Sequence, residues 1–208
     1  MSQPAVPTAH PYHHGDLPAS LRAVAADLVA ERGASNFSLR EVARRAGVSH
    51  AAPAHHFGNA RGLLTSLAAE GFEALADQLE AAVAGVDDAA TRLQRCGLAY
   101  VRAASTRPGH YAVMMDQALL DEDDEQCLMS SMRAYAALQA TIEAIRAQLN
   151  PALDVESAAT LAWASMHGLV ELGPKLQRVA DLTDAEAVPV EDLVARFTPL
   201  LIDGFRAR

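Results

Sequence analysis

Ser38-Leu-Arg-Glu-Val-Ala-Arg-Arg-Ala-Gly-Val-Ser-His-Ala-Ala-Pro-Ala-His-His-Phe57 is the stretch that decides the fold. Ser38 with Glu41 three residues on has the form of a capping box, and Leu39, Val42, Ala43 and Ala46 then recur at helical spacing on one face. Arg40, Arg44 and Arg45 carry the opposite face. Gly47 stands where a short helix can end in a left-handed residue, Val48 can plug the corner, and Ser49 offers a fresh N-cap. The spacing predicts helix, three-residue turn, helix, the geometry by which a second helix enters the major groove of DNA.

Leu17, Leu21, Val24, Ala25, Leu28 and Val29 predict an amphipathic first helix that ends near Gly33 and braces this pair. Phe37 and Phe57, on either side of the pair, are expected to be the aromatic core of the small subdomain. Asn59 can cap a long helix through about Val83 that links two domains.

With these flanks the block resembles the DNA-binding domain of the tetracycline-repressor-like (TetR) regulators. Their motif is matched at Ser38, Val42, Ala43, Ala46, Gly47, Val48, Ser49 and Phe57. Three positions depart from it. The usual tyrosine is Ala54, the usual lysine is Ala60 with Arg61 beside it, and Pro53 falls in the first turn of the second helix, where it removes one backbone hydrogen bond if Ser49 is the cap. The resemblance and the arginine clustering together place Ser49, His50, Ala51, Ala52, His55 and His56 on a base-reading surface. Ser38, Arg40, Arg44, Arg45 and Arg61 are expected to hold phosphates.

Composition bounds the rest. A chain of 208 residues, half of them apolar, can bury a sizeable core without staples. Cys96 and Cys127 lie in apolar helical stretches without metal-ligand spacing, which fits buried free thiols in a reducing compartment. No apolar run approaches a membrane span and the N-terminus lacks the apolar segment of a signal peptide, so the expectation is a cytoplasmic protein with no membrane partner. The net charge of −9 argues against DNA until it is divided. Residues 1–70 hold six arginines against five acids, a balance of +1, and the remaining 11 basic and 21 acidic residues give −10. Between residues 38 and 61 four arginines face Glu41 alone, enough for phosphate contacts when a dimer doubles them.

Residues 1–17 read as an arm rich in Pro and His, residues 18–66 as the helix-turn-helix domain and residues 67–208 as a helical domain for ligand binding and dimerisation. His10, His13 and His14 are close together but lack a second well-spaced cluster, so the arm reads as disordered or as touching the DNA backbone, and no metal or cofactor is expected. Helices are predicted from about Asp87 to Thr106, His110 to Leu120, Glu125 to Asn150, Val155 to Val179 and Val190 to Phe205. No strand pattern occurs. The fold class is all-α, and nine helices, three then six, is the division the resemblance implies.

Trp163-Ala-Ser-Met-His167-Gly168 resembles the Trp-x3-His-Gly signature of one TetR subgroup, and Pro108-Gly-His-Tyr111 and Tyr12-His-His-Gly-Asp-Leu17 fit that subgroup too. Trp163, His167 and Glu171 follow at four-residue steps on one helix face. They read either as a core Trp with a His satisfied by a carbonyl or by Glu171, or as ligand contacts. The methionines outside the N-terminus are likewise either plain core or the lining of an adaptable pocket. Their coincidence with the aromatic residues favours a pocket built from Tyr100, His110, Tyr111, Met114, Met115, Met132, Tyr135, Trp163 and His167. Gly168, among small neighbours, is expected to let another helix approach.

Nucleophile elbow, Glu-x-x-His di-iron pattern and phosphate-cradling Gly loop are all missing, so no catalytic residues are assigned and an enzyme is not expected. The resemblance implies a homodimeric regulator of transcription that binds a double-stranded DNA operator and answers a small-molecule effector, most simply a repressor. Leu161, Leu169, Leu172, Leu176, Leu193, Phe197, Leu200 and Leu201 of the last two helices are expected to form the dimer interface. The alternative is a helical protein-interaction adaptor that has lost DNA binding, motivated by Ala54, Ala60 and the acidic surface.

Overall fold

The computed structural model describes residues 16–206, and all regular structure among them is helical. The order is α1 (Leu17–Arg32), α2 (Leu39–Ala46), α3 (Ala52–Phe57), α4 (Ala60–Val83), α5 (Ala89–Thr106), α6 (Pro108–Met114), α7 (Glu125–Leu149), α8 (Val155–Thr183) and α9 (Val190–Phe205), with 3-10 turns at Ala34–Asn36 and Gln117–Leu119. The fold is all-α as expected. His10, His13 and His14 of the arm lie outside the described residues.

Local chemistry sets the boundaries. Asp16, Ser38, Asn59, Asp88, Asp124 and Asp154 each accept a backbone N–H of the first turn they precede, which stabilises a helix start by about 1 kcal/mol. The acidic run before α7 is thus a loop that ends in a cap. Gly47 ends α2 at φ 68°, a left-handed conformation that a side chain resists.

Several boundaries differ from expectation. Ser38 caps Glu41 at 3.3 Å, but Glu41 turns its carboxylate to arginines, so half of the capping box is formed. Ser49 does not cap α3: its carbonyl accepts the Ala52 N–H at 3.0 Å in a turn, and the helix starts at Ala52. Pro53 therefore occupies the first turn, where no N–H is needed, and it is buried. The helix after Arg107 begins at Pro108 and stops at Met114, because Asp116 starts a separate 3-10 turn by accepting the Ala118 N–H. α8 continues through Pro174 to Thr183.

Leu21, Ala25, Leu28 and Val29 of α1 bury against Val42 and Ala46 of α2 and Leu63 and Leu67 of α4. Aliphatic side chains, not aromatic ones, thus form the core of the small subdomain. Phe37 and Phe57 are half-buried at its rim. α4 runs on between α5 and α7, and α6 crosses both α1 and α4. Gly109 makes that crossing possible: a methyl group there would overlap the Ala26 carbonyl.

α8 and α9 leave an open apolar face. Leu161, Leu172, Leu176, Val179 and Leu182 of α8 and Leu200 of α9 are exposed, as is Phe197. Leu169 and Leu201 depart from the expected interface, since both are buried in the chain's own core, and Leu193 is half-buried. No neighbour lies within 4 Å of a Cβ built on Gly168, so the close approach expected there is not made within the chain. Among the described residues no helix is long and apolar enough to cross a membrane.

Candidate functional site

The helix-turn-helix presents α3 outward. Ser49, His50, Ala51, His55 and His56 are exposed while Ala52 is half-buried. The His55 and His56 rings pack edge to face at 5.3 Å, so the two imidazoles lie side by side on the surface. Arg40 is exposed and makes no ion pair among the described residues.

The other arginines are engaged. Arg44 donates twice to Glu41 at 2.8 Å, and Arg45 donates to Glu31 at 2.8 and 2.6 Å and to Glu41 at 3.4 Å. The Arg44 hydrogen bonds, reinforced by Arg45 and Arg32, hold the Glu41 carboxyl down at about 2. Arg61 reaches away from α3 and donates to the Leu120 carbonyl at 2.5 Å. Thr65 accepts the Asp121 N–H at 2.9 Å, a second clamp between α4 and the segment before α7. Arg44, Arg45 and Arg61, expected to hold phosphates, are thus each paired with a nearby acid or carbonyl of the chain itself. Ser38 accepts the Glu41 N–H at the cap of α2 through its hydroxyl oxygen, which leaves the O–H proton free to donate.

In the second domain four of the expected side chains meet. Trp163 Nε1–H donates to the Tyr100 hydroxyl at 3.1 Å, the Tyr100 and Tyr111 hydroxyls lie 3.3 Å apart, and the Tyr111 hydroxyl is 2.6 Å from His167 Nδ1. Burial, with the neighbouring Tyr100, pushes the Tyr111 phenol above its ordinary range, so the phenol keeps its proton. Trp163 Nε1–H can only donate, whereas the two hydroxyls and His167 Nδ1 can each give or take, and the His167 tautomer sets their order. Glu171 is exposed and makes no hydrogen bond to His167 among the described residues, so a phenol replaces the expected carboxylate partner.

Two cavities flank this network. One, of about 30 Å³, is lined by Leu93, Gly97, Tyr100, Leu138, Trp163 and Met166 among others, and a second, of about 10 Å³, by Gly71, Tyr100, His110, Tyr111 and Met114. They hold a water or two, well short of the ~300–1,000 Å³ of small-molecule sites. His110 is buried, and its Nε2 lies 3.3 Å from Glu70, which also takes Arg22 of α1 at 2.5 Å. Burial pushes the His110 imidazole below its ordinary pKa against the pull of Glu70.

Four expected lining residues line neither cavity, and one of them, His167, meets the second only through its hydrogen bond to Tyr111. Met132 is 57% exposed because its face of α7 turns to solvent. Met115 ends α6 and lines neither cavity. Tyr135 packs its ring 6.1 Å from Trp163 and shares a hydrogen bond with Thr160, outside both linings. Cys96 is buried and free, its thiol pushed up to about 11 by burial, as is fitting for an inert core thiol. No group of three or more potential metal ligands occurs among the described residues.

Residues 21–67 match the model of bacterial regulatory proteins of the tetR family, and residues 93–195 match the tetracyclin repressor-like C-terminal domain. The chain belongs to the tetR family. This member is similar over nearly its whole length to a solved protein of unknown function from Rhodococcus sp. RHA1, at 30% identity, with 94% of this chain and 98% of that one covered and a TM-score of 0.76. The tetR-family regulator PfmR from Thermus thermophilus shares the fold at 20% identity, covering 90% and 99% of the two chains with a TM-score of 0.70. The fatty acid degradation regulator FadR from Bacillus halodurans does so at 18% identity, covering 95% and 100% with a TM-score of 0.72. No curated protein matches the chain. As a tetR-family transcriptional regulator it has a DNA-binding domain followed by a helical C-terminal domain.

Sequence reasoning did not name Gly71 or Gly97 as parts of this family member's cavities. A glycine inside a helical pattern costs about 1 kcal/mol relative to alanine and usually has a packing reason, which was the available signal. Glu70 and Arg22 gave none, because their pairing spans 48 residues.

Proposed function

We propose that this regulator is a homodimeric repressor that reads an operator with α3 and leaves it when an apolar or aromatic small molecule enters the second domain. The observation that carries the ligand response is the double engagement of α6. Tyr111 joins the cavity network through His167, while the adjacent His110 binds Glu70, and Glu70 binds Arg22 of α1. Gly109, one residue earlier, rests on Ala26 of the same α1. A ligand that displaces Tyr111 therefore pulls on the helix that braces the reading pair.

Ser49, His50, Ala51, Ala52, His55 and His56 are the proposed groove-facing set. Arg40 is the phosphate contact, Arg44 and Arg45 hold the head together, and Arg61 ties α4 to the segment before α7. The exposed stripe of Leu161, Leu172, Leu176 and Val179, with Gly168 in its midst, supports pairing of α8 and α9 with a second copy. Two copies give two reading helices for a palindromic site. A tenfold loss of operator affinity requires only ~1.4 kcal/mol of ligand preference for one arrangement of the heads over the other. Titration of a broad apolar library, read by the emission of Trp163, the only tryptophan, and by operator affinity, tests the reading. A compound that changes both together supports it, and a library that changes neither removes the sensor.

A second reading, a protein-interaction adaptor without DNA binding, is favoured by one observation: three of the four arginines between residues 38 and 61 are engaged within the chain. Salt-dependent binding to DNA separates the two.

A further inference from the structure

The two cavities share one residue, Tyr100. The larger is lined on α5 by Leu93, Cys96, Gly97 and Tyr100, and the smaller by Tyr100, Ala103 and Arg107. They therefore lie end to end along α5, over a stretch of roughly 20 Å at 1.5 Å per residue. On α4 they follow in the matching order, with Leu79 beside the first and Leu75 and Gly71 beside the second.

Each cavity is walled on one side by a methionine seated in a glycine notch. A Cβ on Gly97 would stand 2.9 Å from the Met166 sulfur, and one on Gly71 would stand 2.5 Å from the Met114 sulfur. Neither glycine has positive φ, so backbone geometry does not demand them. The notch is what the missing side chain provides. Methionine is the apolar side chain that rearranges most readily, so both can swing out at small cost.

We infer that Tyr100 divides one latent, elongated site, opened when Met166 and Met114 leave their notches, that takes a mainly aliphatic chain with a single hydrogen-bonding group. The inference rests on the ligand-responsive reading above and adds a length requirement to it. The first chamber lies against Trp163 and α9, away from α6. Only the second holds Met114, Tyr111 and His110 of α6, and of these His110 connects to Arg22 of α1 through Glu70. A short ligand fills the first chamber without moving α6. A long one passes Tyr100, takes the place of Met114 and displaces α6.

Full-length protein titrated with primary n-alkanols from butanol to decanol tests this, with Trp163 emission reporting entry and operator affinity reporting release. The expected result is a change in emission with short and long members alike. At equal occupancy only members beyond a threshold length lower operator affinity, by tenfold or more. Met114→Ala makes room for the chain end without pressure on α6, so it keeps the emission change and loses the release. Met114→Val replaces that variant if alanine prevents folding, since the shorter side chain also leaves the Gly71 notch vacant. Release that is independent of chain length at equal occupancy, release untouched at Met114, or no emission change with any member overturns the inference. Operator binding by ligand-free protein, and its release by some other compound, shows in each of those cases whether the regulator reading itself survives.

Discussion

Arg45 and Glu31 meet in a two-bond clasp, Nη1 to Oε1 at 2.8 Å and Nη2 to Oε2 at 2.6 Å, that ties α2 to the last turn of α1. The clasp redirects an arginine that the helix-turn-helix pattern assigns to phosphate. Arg40→Ala should flatten the slope of log affinity against log salt by about 0.9 for each phosphate no longer neutralised, about 1.8 in a dimer. Arg45→Ala should leave the slope almost unchanged and lower the melting temperature, because it leaves Glu31 without its hydrogen-bonding partner near Glu41, which keeps Arg44. Equal slope changes in the two variants would return Arg45 to the phosphate set.

Burial holds the His110 imidazole below its ordinary pKa of 6.5, so the folded chain binds fewer protons there than the unfolded chain does. The corresponding stability is fully present above pH 6.5 and is lost as pH falls through the lower folded value. Glu70 adds to the loss in more acid solution. Burial alone would raise its carboxyl, but Arg22 and His110 hold it below 4.5, and that contribution disappears as it is protonated. Denaturant midpoints measured from pH 7.5 downward should fall for the natural chain and fall less below pH 6.5 for His110→Gln. Parallel curves would show that His110 is not the titrating group.

Gly109→Ala places a methyl group on the Ala26 carbonyl, where backbone must yield. Overpacking of this kind costs ~1–3 kcal/mol, and the variant should lose that much in urea unfolding while α6 lifts from α1. The looser contact should also weaken ligand release of DNA. Unchanged stability would mean that the α1–α6 crossing shifts freely and cannot transmit a movement.

The frame of this fold was legible because its signals are local. Ser38, Gly47 and Asn59 mark helix ends by hydrogen bonds to residues three or four away, and the apolar stripe of α1 needs only helical spacing. Trp163, Tyr100, Tyr111 and His167 were named together, but their order in the network was not, since all but the Tyr100–Tyr111 contact join residues 56 or more apart. Charge misled where it was counted without partners: Glu31, before the motif, neutralises Arg45 within it. Met132 misled because a stripe on a helix does not say which of two flanks its neighbours cover.

Leu172 and Leu176, 49% and 47% exposed, sit on the α8 face proposed to pair with a second copy. Leu172→Glu with Leu176→Glu should give folded monomers by light scattering, with helical circular dichroism retained, because neither side chain belongs to the chain's own core. Operator affinity should fall with the loss of the second reading helix. A dimeric double variant would place the interface elsewhere.

Selection of double-stranded DNA from a random pool by the purified protein tests the central claim most directly. The account predicts enrichment of a palindromic sequence, bound with affinity that falls steeply as salt rises and whose base preference changes in His50→Ala. Recovery of unenriched DNA, bound no more tightly than the starting pool at every salt concentration, would contradict it.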